Sequence, residues 1–310
     1  MKLVKIKRSL LIVFFSALAT LLLVGVSCIS TRRSENKNLF KSAQFTPPNS
    51  FTHGVEGPAV DQSGNVYAVN FSREGTIGII TPSGEPSLFV QLPDSSIGNG
   101  IRFDSHGNML IADYKMHNVL KVEMKNKKIS VYAHGLAMTQ PNDLAIDSKD
   151  RVYASDPDFK LNTGRLWRVD PDGSITLIDS LSSIANGIEV SPDEKRLYVG
   201  AGRQVFSYDL SSGGELSNRK LLIEFPDFST DGMRCDLKGN LYIARIGKGV
   251  IAKVSPGGQL LKEIELIGKK PTNVAFGGKK GCTVYVTLMD RGNLESFHVD
   301  VAGREWKMEK

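Results

Sequence analysis

An all-β fold, a six-bladed β-propeller, follows from three observations on the 310-residue sequence. Six short segments repeat along it, their first residues 43, 43, 44, 45 and 41 positions apart. Each segment alternates polar and apolar residues with the period of a strand. Beyond residue 50 no stretch carries the periodicity of a helix. Six copies at this period fit six blades of four short strands. Propellers run well past 200 residues as one domain, so the length asks for no second one.

The repeating segments are Glu56-Gly-Pro-Ala-Val-Asp61, Asn99-Gly-Ile-Arg-Phe-Asp104, Asn142-Asp-Leu-Ala-Ile-Asp147, Asn186-Gly-Ile-Glu-Val-Ser191, Asp231-Gly-Met-Arg-Cys-Asp236 and Thr272-Asn-Val-Ala-Phe-Gly277. Apolar residues stand two and four places after the leading polar one, as Ile101 and Phe103 or Leu144 and Ile146 do. A turn of Asp, Asn, Ser, Gly or Pro follows each. A second strand is predicted at 65–69, 109–112, 151–154, 197–199, 241–244 and 283–287. Outer strands come next, for example 164–169, the turn Asp170-Pro-Asp-Gly173 and 174–178. The ring needs a closing strand, for which residues 38–45 are the candidate.

The formal charge of +6 does not mark a nucleic-acid surface. Residues 1–33 hold Lys2, Lys5, Lys7, Arg8, Arg32 and Arg33 and no acid, and the rest carries 33 charges of each sign. The excess belongs to a targeting segment instead. Its basic start leads into an apolar run from Leu10 to Ile29, long enough to span a bilayer. Three fates fit: a cleaved signal, with Gly25 and Ser27 small enough to precede a cut; an uncleaved anchor; or a lipoprotein signal ending at Cys28. In that last case Gly25 stands where Leu or Val is usual. All three imply export, to the periplasm or outside or to a membrane anchorage, with residues 1–33 as the only membrane contact. Residues 34–50 are polar, end in Pro47 and Pro48, and read as a linker ahead of a propeller domain over 51–310. Cys28, Cys235 and Cys282 are too few and too scattered for a disulfide framework or a thiolate metal site. Cys235 and Cys282 could pair with each other, but they read better as buried free thiols.

The innermost strands of a propeller converge on its axis, so one position per repeat surrounds a common channel. Here those positions carry Glu56, Asn99, Asn142, Asn186, Asp231 and Thr272, all oxygen donors and two of them carboxylates. Hard cations such as calcium want several oxygen ligands, mixing carboxylates with neutral carbonyls. Ordinary turn chemistry accounts for Asn-Gly and Asp-Gly equally well. It accounts poorly for Glu56-Gly-Pro, because Glu is no turn former. On the residues alone, both readings stand.

Val55-Glu-Gly-Pro58, Gln140-Pro-Asn-Asp-Leu144, Ser155-Asp-Pro157, Asn186-Gly with Ser191-Pro-Asp193, Asp231-Gly and Pro271-Thr-Asn-Val-Ala-Phe-Gly-Gly278 occur in order at blade spacing. In this the chain resembles the senescence-marker-protein, gluconolactonase and luciferin-regenerating-enzyme family, a relative of diisopropylfluorophosphatase, over about Phe51 to Leu288. The resemblance implies that Glu56, Asn186 and Asp231 are direct ligands of a divalent metal, most often calcium, with zinc, manganese or magnesium as alternatives. It implies that Asn142 faces both metal and substrate and that Asp231 doubles as general base or nucleophile. Asn99 occupies a variable family position and is a candidate substrate contact. Asp156 and His53 could border the pocket, although a turn or surface role suits each better. His53, His106, His117, His134 and His298 form no dyad of the paraoxonase type, and no Gly-x-Ser-x-Gly elbow occurs.

The activity that the resemblance implies is metal-dependent opening of a small lactone, the cation polarising the ring carbonyl and Asp231 acting as base. Other readings are a non-catalytic scaffold, an organophosphate-hydrolysing propeller and a strictosidine-synthase-like one. The last type lacks the full Glu, Asn, Asn, Asp set present here.

Overall fold

The computed structural model describes residues 39–93 and 95–305, so the expected export segment, with Cys28, lies outside the described residues. Within them are six antiparallel four-stranded sheets. Blade 1 is β2 (Ala59–Val60), β3 (Val66–Val69), β4 (Thr76–Ile80) and β5 (Pro86–Gln91). Blade 2 is β6 (Gly98–Phe103), β7 (Met109–Asp113), β8 (Asn118–Glu123) and β9 (Lys128–His134). Blade 3 is β10 (Leu144–Ile146), β11 (Val152–Asp158), β12 (Thr163–Val169) and β13 (Ile175–Leu181). Blade 4 is β14 (Ala185–Val190), β15 (Arg196–Ala201), β16 (Gln204–Leu210) and β17 (Leu216–Glu224). Blade 5 is β18 (Ser229–Cys235), β19 (Leu241–Ile246), β20 (Val250–Val254) and β21 (Leu260–Glu265). Blade 6 is β22 (Pro271–Gly277), β23 (Thr283–Leu288), β24 (Asn293–His298) and, from the other end of the chain, β1 (Ala43–Gln44).

The ring therefore closes within the 38–45 region. Ala43 pairs with Ser296 and Gln44 with Glu295. Ser42 Oγ donates to Glu295 Oε2 at 2.7 Å, and the Phe45 and Tyr285 rings lie 4.8 Å apart. Closure removes the exposed sheet edge that an open last blade would leave.

Side chains alternating off the strands fill the space between blades rather than one central core. Tyr67 and Ile77 of blade 1 pack with Ile101 and Met109 of blade 2. Leu144 and Ala154 of blade 3 meet Leu110 and Val119 of blade 2 in the same way. After the inner strands of blades 1, 2, 3 and 5 an aspartate locks the tight turn. Asp61 Oδ1 accepts the Asn65 N–H at 2.9 Å and Asp104 Oδ1 the Asn108 N–H at 2.7 Å. Cys235 is a buried free thiol and Cys282 a half-buried one. All of β1–β24 lie within Lys41–Lys310, a single compact unit.

Candidate functional site

The inner strands carry a shared irregularity at the positions the repeat singles out. In blades 2, 4, 5 and 6 the ladder with the second strand skips two residues, Asn99-Gly100, Asn186-Gly187, Asp231-Gly232 and Thr272-Asn273. Such bulges leave a residue free of the ladder and re-aim its side chain. In blades 1 and 3 the strand begins just after the matching pair, Glu56-Gly57 and Asn142-Asp143. Thus these Asn-Gly and Asp-Gly pairs are bulges of inner strands, not hairpin turns.

The glycines allow the blades to close on one another around the axis. A Cβ on Gly187 would lie 2.4 Å from the Asp231 carbonyl oxygen, and one on Gly57, whose φ is +57°, 1.9 Å from that of Asn99. No side chain larger than hydrogen fits such approaches.

Glu56 and Asp231 are both buried here. Burial first, then the negative charge of Asp143, pushes Glu56 from its ordinary 4.5 up to about 7; the Gly57 N–H, the Asn273 side chain and the Arg234 charge ease it back. Burial raises Asp231 well above the usual carboxylate range, with Glu56 and Asp143 adding to the rise and the Asn186 amide and Gly232 N–H opposing it. Asn142 and Asn186 each bury an Oδ1 that no donor reaches. Buried polar atoms are nearly always partnered, so two orphaned oxygens at the leading positions of blades 3 and 4, with mutually repelling carboxylates at those of blades 1 and 5, form a donor set short of positive charge. A hard divalent cation fits that donor set. No group of three or more His, Cys, Asp or Glu side chains that could hold a metal occurs among the described residues.

The other expected residues fall out differently. Asn99 is partly exposed at the equivalent position of blade 2. Thr272 spends its hydroxyl on the Val55 carbonyl, 2.9 Å away, and so ties blade 6 to blade 1. Asp156 is fully buried, accepts the Thr139 N–H and Trp167 Nε1 at 2.8 Å each, and braces the turn that leads to Asn142. His53 is exposed.

Beneath the bulges lies a charged layer that the leading positions do not announce. Asp143 takes Arg102 Nη1 at 3.3 Å on one oxygen and Arg234 Nη1 at 3.4 Å on the other. Arg234 Nη1 also donates to Asn273 Oδ1 at 3.2 Å, and its Nε reaches Glu305 at 2.8 Å. Glu189 faces Arg102 at 3.8 Å and Arg304 at 3.6 Å. Arg102, Glu189 and Arg234 stand three places after Asn99, Asn186 and Asp231, where the other repeats carry Ala59, Ala145 and Ala275. That column was the available signal. Arg102, Glu189 and Glu305 of this layer also border a cavity of about 410 Å3.

Residues 56–290 match the SMP-30/Gluconolactonase/LRE-like region. The chain belongs to that family. Among its similar members is a gluconolactonase from Zymomonas mobilis, 27% identical over 269 residues, covering 75% of each protein. A pentonolactonase from Haloferax volcanii is 31% identical over 48% of this chain, which spans about half of that relative's length (53%). Of solved structures, a regucalcin from Agrobacterium tumefaciens, titled a calcium-binding protein, superposes with a TM-score of 0.74 at 21% identity over 86% of this chain and 97% of its own. That likeness carries the fold alone.

Proposed function

We propose that this family member is a lactone hydrolase that works with one divalent cation, calcium by preference, held by Glu56, Asn142, Asn186 and Asp231. The observation that carries the reading is the pair of orphaned amide oxygens together with two carboxylates raised by burial and by negative neighbours. The lactonases among the relatives support the substrate class. An all-oxygen donor set favours calcium, manganese or magnesium over zinc, which prefers nitrogen and sulfur.

When bound, the cation supplies an electrophile for the lactone carbonyl. Asp231 is the general base: its carboxylate takes a proton from water as the water oxygen bonds to the carbonyl carbon. As the ring C–O bond breaks, the same group returns that proton to the departing alkoxide, so the net change is addition of one water. Glu56 contributes charge and Asn186 orients Asp231 through its amide. Asn142 and Asn99 are the proposed substrate contacts.

The test joins activity to protonation. Chelation of residues 39–310 should abolish turnover of aldonolactones, and added calcium should restore it. Because bound carboxylates must be ionised, calcium has to displace the proton that Glu56 holds below about pH 7. Affinity should therefore fall by at least about tenfold per pH unit as pH drops below 7, more steeply where Asp231 is protonated as well. Calorimetry in buffers of different ionisation enthalpy should show protons released on binding. Undiminished turnover after chelation, with calcium absent by elemental analysis, defeats the proposal.

A further inference from the structure

The two faces of the ring differ in a way that a balanced net charge conceals. In each blade the loops after the second and fourth strands lie at the end where the inner strands begin, the end that holds Glu56 and Asp231. The loops after the first and third strands lie at the other. On the site face the described residues of these loops carry eight Lys and Arg and, apart from buried Glu56 and Asp143, three Asp and Glu, while Asp158, Glu224 and Glu265 end strands there and Glu224 pairs with Arg203. The opposite face, through residue 305, carries nine against thirteen.

Apolar exposure follows the same division. Among the described residues the large exposed hydrophobics on the site face are Met116, Leu136, Phe159, Leu161, Phe228 and Ile267, with Leu136 88% and Leu161 67% exposed. The opposite face has Leu237 at 38%; the rest lie on outer strands. Four of the six cluster at neighbouring blades 2 and 3. The Gly135 N–H bonds the His117 carbonyl, which joins the loops that carry Leu136 and Met116. Arg165 Nη1 donates to the Ala137 carbonyl at 2.7 Å and draws β12, beside the turn with Phe159 and Leu161, to the same loop. Exposed Lys115 adjoins Met116, and exposed Lys160 stands between Phe159 and Leu161.

Apolar tips flanked by the exposed Lys115 and Lys160 match the interface of an anionic bilayer. There, buried apolar area and attraction to lipid headgroups add. Duplex nucleic acid, bound chiefly through its phosphates, offers such apolar tips little, and single side chains on separate loops do not make the packed patch that a protein partner needs. We infer that the site face is a docking surface for an anionic phospholipid bilayer, with the tips of blades 2 and 3 entering the interface. The surface is independent of the N-terminal apolar run and of the catalytic reading, and it turns the mouth of the site toward the lipid.

Co-sedimentation of residues 39–310, which hold every strand of the ring, with vesicles of phosphatidylcholine alone or mixed with phosphatidylglycerol tests this. Binding is expected only with phosphatidylglycerol, weakening by on the order of tenfold when salt is raised from low to molar. Leu136→Asp with Phe159→Asp should reduce it by a similar factor, whereas Leu88→Asp with Leu260→Asp on outer strands should not, all with unchanged thermal unfolding. Absence of binding to the mixed vesicles overturns the inference. So does binding indifferent to salt and to both tip substitutions, or tip substitutions that raise KM for soluble lactones while vesicle binding persists.

Discussion

Glu56 and Asp231 are both buried acids facing one site, yet their surroundings separate their roles. Glu56 shares its charge with the Gly57 N–H, Asn273 and Arg234, which suits a permanent ligand. Asp231 is assisted by Asn186 and the Gly232 N–H and repelled by Glu56 and Asp143, which favours a group that readily takes a proton. Glu56→Gln and Asp231→Asn each keep an oxygen donor and remove one charge, so both should weaken calcium. With metal saturating and occupancy measured, Glu56→Gln should recover most lactone turnover. Asp231→Asn should stay about 10²-fold down, the usual worth of a general base. Near-normal turnover in Asp231→Asn would place the base elsewhere. The four proposed ligands were legible because each leads a repeat. Asp143 and Asn273 were not, since they stand where other repeats have glycine, and their weight comes from Arg102 and Arg234, which reach them from other blades.

At the scale of the strand, the pairing of Asn or Asp with Gly had two readings in the sequence, and the backbone resolves them. Turn and bulge both want a small residue, so composition does not separate them; the skipped ladder pairs do. The second strands fall close to their predicted places because alternating apolar residues between polar turns fix both ends, as at Thr283–Leu288. The first strands of blades 1 and 3 are short, and in blade 1 Pro58 offers the ladder no N–H. If glycine is required for the approach of blades, Gly187→Ala should cost about 1–3 kcal/mol by driving a methyl into the Asp231 backbone, and should weaken calcium with it. Gly257→Ala has nothing nearer than Ser255 Oγ at 3.8 Å and should be neutral within a few tenths. Denaturant titrations of the two, side by side, check this; equal midpoints would dismiss the packing argument.

For the whole molecule, the repeat period sufficed to count the blades, whereas the distribution of charge between the faces required knowing which loops share an end. The closing strand was only a candidate, because two paired residues leave no periodicity to read. Their weight exceeds their length. Thr46 Oγ1 accepts the Leu294 N–H at 2.9 Å, and Asn293 Nδ2 donates to the Thr46 carbonyl at 3.1 Å, both buried. A chain beginning at residue 48 would leave those groups unpaired and Tyr285 without Phe45, a loss of about 3 kcal/mol or more. Its thermal midpoint should fall by about 5–10 °C, and calorimetry of the two lengths decides it; matching midpoints would show that β1 is dispensable.

This clasp also orders events in time. Ser42 and Glu295, bonded in the finished ring, are 253 positions apart. During synthesis the amino-terminal half of the clasp emerges first and waits while blades 1 to 5 are made. Each of those blades is continuous in sequence and can form as it appears. Only when Asn293–His298 arrives can the ends meet, so the earliest strand is the last to find its partner. Until then the nascent protein is an open arc with a free edge. The same stitch that completes the ring dates its completion to after the last blade is free, when the whole chain has been made.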